Sequence, residues 1–242
     1  MHILAIGNSF SEDATRYLHG IARADGVDLQ IANLYIGGCP LSLHYQHMKE
    51  DARAYELQYN GELTHFRVTM DEALRNRPWD VITLQQVSSQ STDYATYQPY
   101  LNELVAYIRA LVPAARIYIH QTWAYEEDSA QLHNVAKYAH AADMLRDAIS
   151  AYEAAASAID AAGIIPSGAL LGELVARGVQ GIYRDTYHAS LGLGRYAIAL
   201  LWYRVLCECA VVNNAFCDFD QPISAETIAV IKDAVETVVL LR

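Results

Sequence analysis

Apolar positions in this chain come in short unbroken runs, separated by longer stretches in which they recur every three or four residues. The first run ends at Ile6 and is followed at once by Gly7, Asn8 and Ser9. Beyond an acidic turn, Ala14, Tyr17, Leu18, Ile21 and Ala22 fall at i, i+3, i+4, i+7 and i+8. That spacing predicts a buried strand, a tight turn and an amphipathic helix from Glu12 to Asp25, ended by Gly26. The alternation then repeats. Leu29 to Ile36 predicts a second strand running into Gly37 and Gly38, and Leu41 to Glu56 a helix. Tyr55 to Arg67 predicts a hairpin at Asn60-Gly61, a pair that favours a type I′ turn. Met70 to Asn76 reads as a short helix, and Asp80 to Gln85 has the length and content of a buried parallel strand. Tyr97 to Val112 is helical up to Pro113, Arg116 to His120 is a fourth strand, and Val135 to Ala162 is an Ala-rich helix closed by Gly163. Ile164 to Pro166 gives a brief fifth strand, Leu170 to Arg177 a helix, and Gly178 to Tyr183 a loop. Helices from Ser190 to Glu208 and from Ala225 to Leu241 finish the chain. Strands alternating with helices at this spacing predict an α/β fold over 1–242: one domain, a three-layer α/β/α sandwich around a mostly parallel five-stranded sheet.

Polar residues gather where the strands end, and α/β proteins bind ligands at that edge of a parallel sheet. Ser9 follows the first strand, Gly37 and Gly38 the second, Gln85 and Gln86 the third, and Trp123 and Tyr125 the fourth. Ser9 itself has two readings. Ser9-Phe-Ser-Glu12 fits a capping box, in which the hydroxyl only satisfies helix N–H groups; alternatively the turn presents Ser9 as a nucleophile.

The 242 residues suffice for a substantial core, and a formal charge of -11 without a Lys/Arg cluster argues against nucleic-acid binding. No basic segment followed by a long apolar run opens the sequence, and no stretch reaches the length of a membrane span. A soluble, cytoplasmic protein is expected. Cys39, Cys207, Cys209 and Cys217 include no C-x-x-C pair. They predict buried free thiols, with a bridge from Cys207 or Cys209 to Cys217 as the alternative.

Acyl transfer by a serine needs a base for its proton, a carboxylate to orient that base and donors for the oxyanion. Asp185 and His188, three apart just before a helix, can supply carboxylate and base from one turn of chain. With Gly7-Asn8-Ser9 at the start, Gly37-Gly38 after the second strand and D-x-x-H near the end, the chain resembles the SGNH (GDSL-like) hydrolases. The resemblance spans nearly the whole sequence. It implies a flavodoxin-like sandwich, a catalytic triad of Ser9, His188 and Asp185, and an oxyanion hole formed by Ser9, Gly37 or Gly38 and a side-chain amide. Two departures stand out. Asn8 replaces the Asp usual before the serine, and the G-x-N-D of the third block is missing. Asp80 to Ser91 instead looks like the glutamine-containing third block of the sialate O-acetylesterase-like and xylan-esterase-like branches, so Gln85 or Gln86 would give the amide.

The resemblance therefore implies a cofactor-independent serine esterase acting on a small-molecule ester, an acetylated sugar being the substrate class its third block suggests. A lipid esterase or thioesterase of the same fold, or a non-catalytic glycan-binding sandwich, are the alternatives. Tyr35, Trp123 and Tyr125 are candidate platforms for a sugar ring, with core packing as the competing fate. His44 with His47, and His133 with His140, lack the partners of a recognised metal motif, so no metal is expected. His120 either lines the pocket or is a hydrogen-bonded structural residue.

Overall fold

The structure, a computed structural model, describes residues 1–240. In chain order its main elements are β1 (His2–Gly7), α1 (Ser9–Thr15), α2 (Leu18–Ala24), β2 (Gln30–Tyr35), α3 (Leu41–Lys49), β3 (Tyr55–Tyr59), β4 (Glu62–Val68), α4 (Met70–Arg75), β5 (Val81–Leu84), α5 (Tyr100–Leu111), β6 (Arg116–His120), α6 (Ala141–Ala158), β7 (Gly163–Ile165), α7 (Ser167–Ala176), α8 (Leu193–Cys207) and α9 (Ala225–Leu240). Leu241, the expected end of the last helix, lies outside the described residues.

One sheet runs in the order β4-β3-β2-β1-β5-β6-β7. The five strands from β2 to β7 are parallel, as expected from the helices between them. The sheet has seven strands rather than five, because the hairpin extends it. Its first strand, β3, pairs antiparallel with β2 and sets Tyr59 opposite Ala32. Asn60 and Gly61 both take positive φ, 51° and 85°, as a type I′ turn requires. Gly61 is fixed by space as well, since a Cβ there would stand 2.2 Å from the carbonyl oxygen of Arg16.

Side-chain alternation along β1 divides the core. Ile3 and Ala5 face a layer containing α1, α2, α7, α8 and α9, while Leu4 and Ile6 face Leu41, Leu74, Leu101 and Leu104 from α3, α4 and α5. Helix α6 closes the second layer with Ala151, Tyr152 and Ala155, and its start reaches round to the first through Met144. The central strands are buried on both faces, which is why their sequences read as unbroken apolar runs.

Several expected boundaries move. The helix expected from Glu12 to Asp25 is two helices, and the first begins at Ser9. Helix α3 stops at Lys49 because Tyr55 already belongs to β3. The long helix expected from Val135 begins only at Ala141. A wide π turn at Gln131–Ala136 precedes it and ends in Lys137 at φ 62°, a left-handed residue that no α-helix continues through. All four cysteines are free, but only Cys39 is buried; Cys207 and Cys209 are half-buried and Cys217 is exposed, which corrects the expectation of buried thiols. Among the described residues no helix is long and apolar enough to cross a membrane.

Two histidines sit in the core without charge. His44 faces the Tyr55 hydroxyl across 3.1 Å, and His120 ends β6; both are fully buried. Burial pushes each imidazole down to about 3, with nearby His47 adding to the effect on His44. The unfolded chain binds these protons near the ordinary histidine value of about 6.5, whereas the fold excludes them until far lower pH. Their contribution is therefore intact above that value and is lost as pH falls toward 3, at about 1.4 kcal/mol per pH unit for each histidine. Urea midpoints should drop between pH 7 and pH 5, and His120→Gln should flatten that dependence. An unchanged slope in the variant would assign the acid sensitivity to other groups.

Candidate active site

The turn after β1 is organised by Asn8. Its backbone is extended, its side-chain oxygen accepts the Phe10 N–H at 3.1 Å, and it is therefore the N-cap of α1. Ser9 is the first helical residue and does not cap, which corrects the capping-box reading. Glu12, the other half of that expected box, instead accepts from the Gln58 amide at 2.8 Å. The Ser9 hydroxyl is thereby released from helix duty and points into a cavity of about 410 Å³ at the carboxyl edge of the sheet.

His188 meets Ser9 from the far end of the chain. Its Nε2 lies 2.8 Å from Ser9 Oγ, and its Nδ1 lies 2.7 Å from a carboxylate oxygen of Asp185. The other Asp185 oxygen accepts the backbone N–H of His188 at 2.9 Å. Partial burial works against ionisation of Asp185, but the bonds from the His188 ring and backbone outweigh it and hold this carboxyl below the usual carboxylate range. An ionised Asp185 fixes the proton on Nδ1 and leaves Nε2 as an acceptor facing the hydroxyl. Ser9, near the start of the sequence, and the pair Asp185 and His188, near its end, thus form one continuous hydrogen-bonded chain.

Gly37, Gly38 and Tyr35 line the same cavity, having been carried there by the end of β2. Gly38 takes φ 62°, and a Cβ there would meet nothing within 4 Å, so its backbone conformation rather than crowding favours glycine. The N–H groups of Ser9 and Gly38 donate to no acceptor among the described residues. Both are available to a ligand oxygen. Tyr125 also lines the cavity; its hydroxyl lies 3.0 Å from Ser88 Oγ. Burial raises the Tyr35 and Tyr125 phenols, which keeps both as neutral hydroxyls.

Neither glutamine expected from the third block reaches the cavity. Gln85 is buried beneath the turn: its amide nitrogen donates to the Asn8 side-chain oxygen at 2.8 Å, and its oxygen stands 2.7 Å from His120 Nδ1. Gln86 is equally occupied. Its oxygen accepts from the Leu41 and Val87 N–H groups at 2.9 Å, and its nitrogen donates to the carbonyl and hydroxyl of Thr96. These side chains fasten loops instead of facing a ligand. What the third block does place in the cavity is Val87, Ser88 and Ser89.

Trp123 is corrected as well. It is fully buried and stacks on Phe10 at 4.1 Å with the rings parallel, while its indole N–H donates to the Tyr187 carbonyl at 2.8 Å. It supports the histidine loop from below and has no surface for a sugar. His120 is structural, held between Gln85 and Ser167. His133 and His140 bond to the Tyr138 carbonyl and to Glu127 respectively, and among the described residues no cluster of His, Cys, Asp or Glu side chains could hold a metal ion.

Sequence reasoning missed several lining residues: Ser88 and Ser89 next to the glutamines, Tyr187 inside the D-x-x-H segment, and Gln131 with Val135 from the π turn. Tyr187 was visible as a neighbour of His188, against which its ring packs at 4.0 Å. Gln131 and Val135 gave no signal, because their placement depends on how a long loop folds back. A larger cavity of about 530 Å³, lined mainly by small and aliphatic residues of α6, α7 and the loop after them, shares Tyr125 with the Ser9 cavity but contains neither Ser9 nor His188.

Comparison with known proteins shows the family and the type of fold. A family model described as a domain of unknown function, DUF4886, matches residues 2–238. No curated protein matches the sequence. The crystal structure of a DUF4886 family protein from Bacteroides uniformis superposes with a TM-score of 0.93 at 33% identity, covering 99% of this chain and 95% of that one. A candidate SGNH hydrolase from Slackia heliotrinireducens matches with a TM-score of 0.61 at 24% identity, over 85% of this chain and 98% of that one. A catalytic mutant of an acetylxylan esterase from Geobacillus stearothermophilus follows at 0.51 and 14% identity, over 84% and 92%. The last two likenesses establish that the fold is of the SGNH hydrolase type. With the family model spanning nearly all of the sequence and a DUF4886 structure superposing on 99% of it, this chain belongs to the DUF4886 family.

Proposed function

We propose that this protein is a serine esterase that removes short acyl groups, acetyl foremost, from carbohydrate. The observation that carries the reading is the hydrogen-bonded chain from Ser9 Oγ through His188 to Asp185, open to a cavity at the sheet edge. In this scheme Ser9 Oγ attacks the ester carbonyl while His188 Nε2 takes its proton. Asp185 stabilises the imidazolium without accepting that proton. The N–H groups of Ser9 and Gly38 receive the oxyanion. His188 then returns the proton to the leaving alcohol, and a water activated by the same imidazole releases the acid and regenerates Ser9. No cofactor or metal takes part.

The carbohydrate assignment draws on two supports. The cavity is lined by several residues with polar side chains, Tyr35, Ser88, Ser89, Tyr187 and Gln131, residue types suited to a polyhydroxylated alcohol. Among proteins of similar fold is an acetylxylan esterase. A second reading, hydrolysis of longer acyl esters, is favoured by the neighbouring apolar cavity that shares Tyr125. Rates on p-nitrophenyl acetate, octanoate and an acetylated xylo-oligosaccharide separate the two: a short-chain preference with turnover of the acetylated sugar supports the first, and a strong octanoate preference the second.

A fluorophosphonate probe should label the wild type at Ser9 and leave Ser9→Ala unlabelled. Ser9→Ala and His188→Ala should each lower kcat at least about a thousandfold. Folded wild-type protein that neither reacts with the probe nor cleaves any of these esters would leave a glycan-binding sandwich as the better account.

The glutamines give a separate expectation. Gln86→Ala should cost about 1–3 kcal/mol of stability by leaving buried N–H groups unpaired. Its kcat, measured below the unfolding transition, should stay within a few-fold of wild type. A loss of about a hundredfold or more in kcat without a change in stability would return Gln86 to the oxyanion hole.

A further inference from the structure

Asp13 lies one helical turn beyond Ser9 on α1 and is completely buried. We propose that it is a positioning residue, clamping the loop that carries Asp185 and His188 onto the helix that carries Ser9. This rests on the proposed roles of Ser9 and His188 and adds to them the means by which the two ends of the chain are brought into register.

Both oxygens of this carboxylate are engaged. Oδ1 accepts from Arg184 Nη1 and from Arg195 Nε, each at 2.8 Å. Oδ2 accepts from Arg184 Nη1 at 3.0 Å and from the backbone N–H of Ala189 at 3.1 Å. Arg184 and Ala189 are the residues immediately before Asp185 and immediately after His188. The same guanidinium nitrogen also donates to the Ala189 carbonyl, and the Arg184 N–H donates to the His188 carbonyl at 3.1 Å. The bonds from Arg184 and Ala189 to Asp13 close the base of the loop onto α1, the two bonds within the loop hold that base together, and Arg195 ties the carboxylate in turn to α8.

The rest of the loop is a narrow turn. Tyr183 and Ala189 form an isolated antiparallel bridge, and the Ser190 N–H reaches the Ile182 carbonyl at 2.7 Å. Its tip is held by the Trp123 indole on the Tyr187 carbonyl and by the Glu126 N–H on the Thr186 carbonyl at 2.8 Å. Those bonds shape the loop and tie it to the segment after β6. The hydrogen bonds that tie it to the helix of Ser9, apart from the Ser9–His188 bond itself, are those of the Asp13 clamp, beside the edge-on packing of the Phe10 ring against His188 at 5.8 Å.

A buried carboxylate facing two guanidinium groups needs this many partners to offset its desolvation, and removing it leaves Arg184 without its counter-charge and Arg195 with only Asp220, at 3.4 Å. Its position also has leverage. Ser9 and Asp13 share one rigid turn of helix, so a shift of the loop against Asp13 becomes a shift of His188 against Ser9. Misplacement of reacting groups by about 1 Å costs on the order of a hundredfold in rate. On α1 Asp13 stands three residues after Phe10 and next to Ala14, among the buried residues of that helix.

The test compares wild type, Asp13→Asn and the milder Arg184→Gln, the second serving if the first does not fold. Amide exchange followed by NMR should be at least about tenfold faster at Ala189 and Arg184 in either variant, with the amides of β1 unchanged, and the imidazole 15N shifts of His188 should move toward those of a ring without a serine partner. On p-nitrophenyl acetate, kcat should fall about ten- to a hundredfold with KM within about threefold, the split expected when positioning rather than binding is lost. Unaltered exchange at Ala189, or a loosened loop with unaltered imidazole shifts and kcat, would overturn the proposal. A wild type with no esterase activity would overturn the function proposed above, while exchange and the imidazole signals would still decide whether Asp13 sets His188 against Ser9.

Discussion

The working edge of this molecule depends on one buried carboxamide. The oxygen of Asn8 accepts from Phe10 and from Gln85, and its nitrogen donates to the Cys39 carbonyl at 3.1 Å. The side chain therefore joins the end of β1, the loop after β2 and the end of β5, which are adjacent in the sheet but distant in sequence. No carboxylate could do all three, because the Cys39 carbonyl requires a donor. Asn8 is 2% exposed, and a charge there would also carry a desolvation cost. The departure from the Asp usual before the serine thus has a local physical reason.

Around that carboxamide, the strand ends are packed with polar side chains that bond to one another. Ser11 donates to Asn33, Asn33 to Gln58 and Gln58 to Glu12, so that α1, β2 and β3 are tied together beneath the Ser9 turn. On the other side, Gln85 leads to His120 and His120 to Ser167 at the start of α7. Each of these groups would be costly to bury alone, and satisfied in series they fix the backbone geometry above them. Catalysis by prearranged donors needs such rigidity. The side chains that face the cavity are few, and those that hold them are many.

The SGNH type of fold explains why residues at opposite ends of the chain share a site. Strand β1 is the fourth of the seven strands, so its carboxyl end opens at the centre of the sheet's edge, and the segment before α8 returns to that edge because α8 packs over α1 and α2. The hairpin β3-β4 lengthens the sheet on the far side of β2 and braces α1 through Gln58 and through the close approach of Gly61 to Arg16. Its place in the architecture is mechanical support for the turn that bears Ser9.

Much of this was legible in the sequence, for a reason that can be stated. Apolar runs and helical stripes record burial directly, so the parallel strands, their order of appearance and the layer class follow from local pattern. The glycines after β2 were legible because few residue types suit that backbone task, and the D-x-x-H segment through the resemblance of the ordered motifs to the SGNH hydrolases. Tertiary structure alone decided which polar residue at a strand end faces outward. Gln85, Gln86 and Trp123 have the composition of ligand-binding groups, yet each is drawn inward by partners far along the chain: Asn8 and His120, Leu41 and Thr96, Phe10 and Tyr187. A side chain's hydrogen-bonding capacity is written in its own residue. Whether that capacity is spent inside the fold or left for a ligand is set by what the rest of the chain brings beside it.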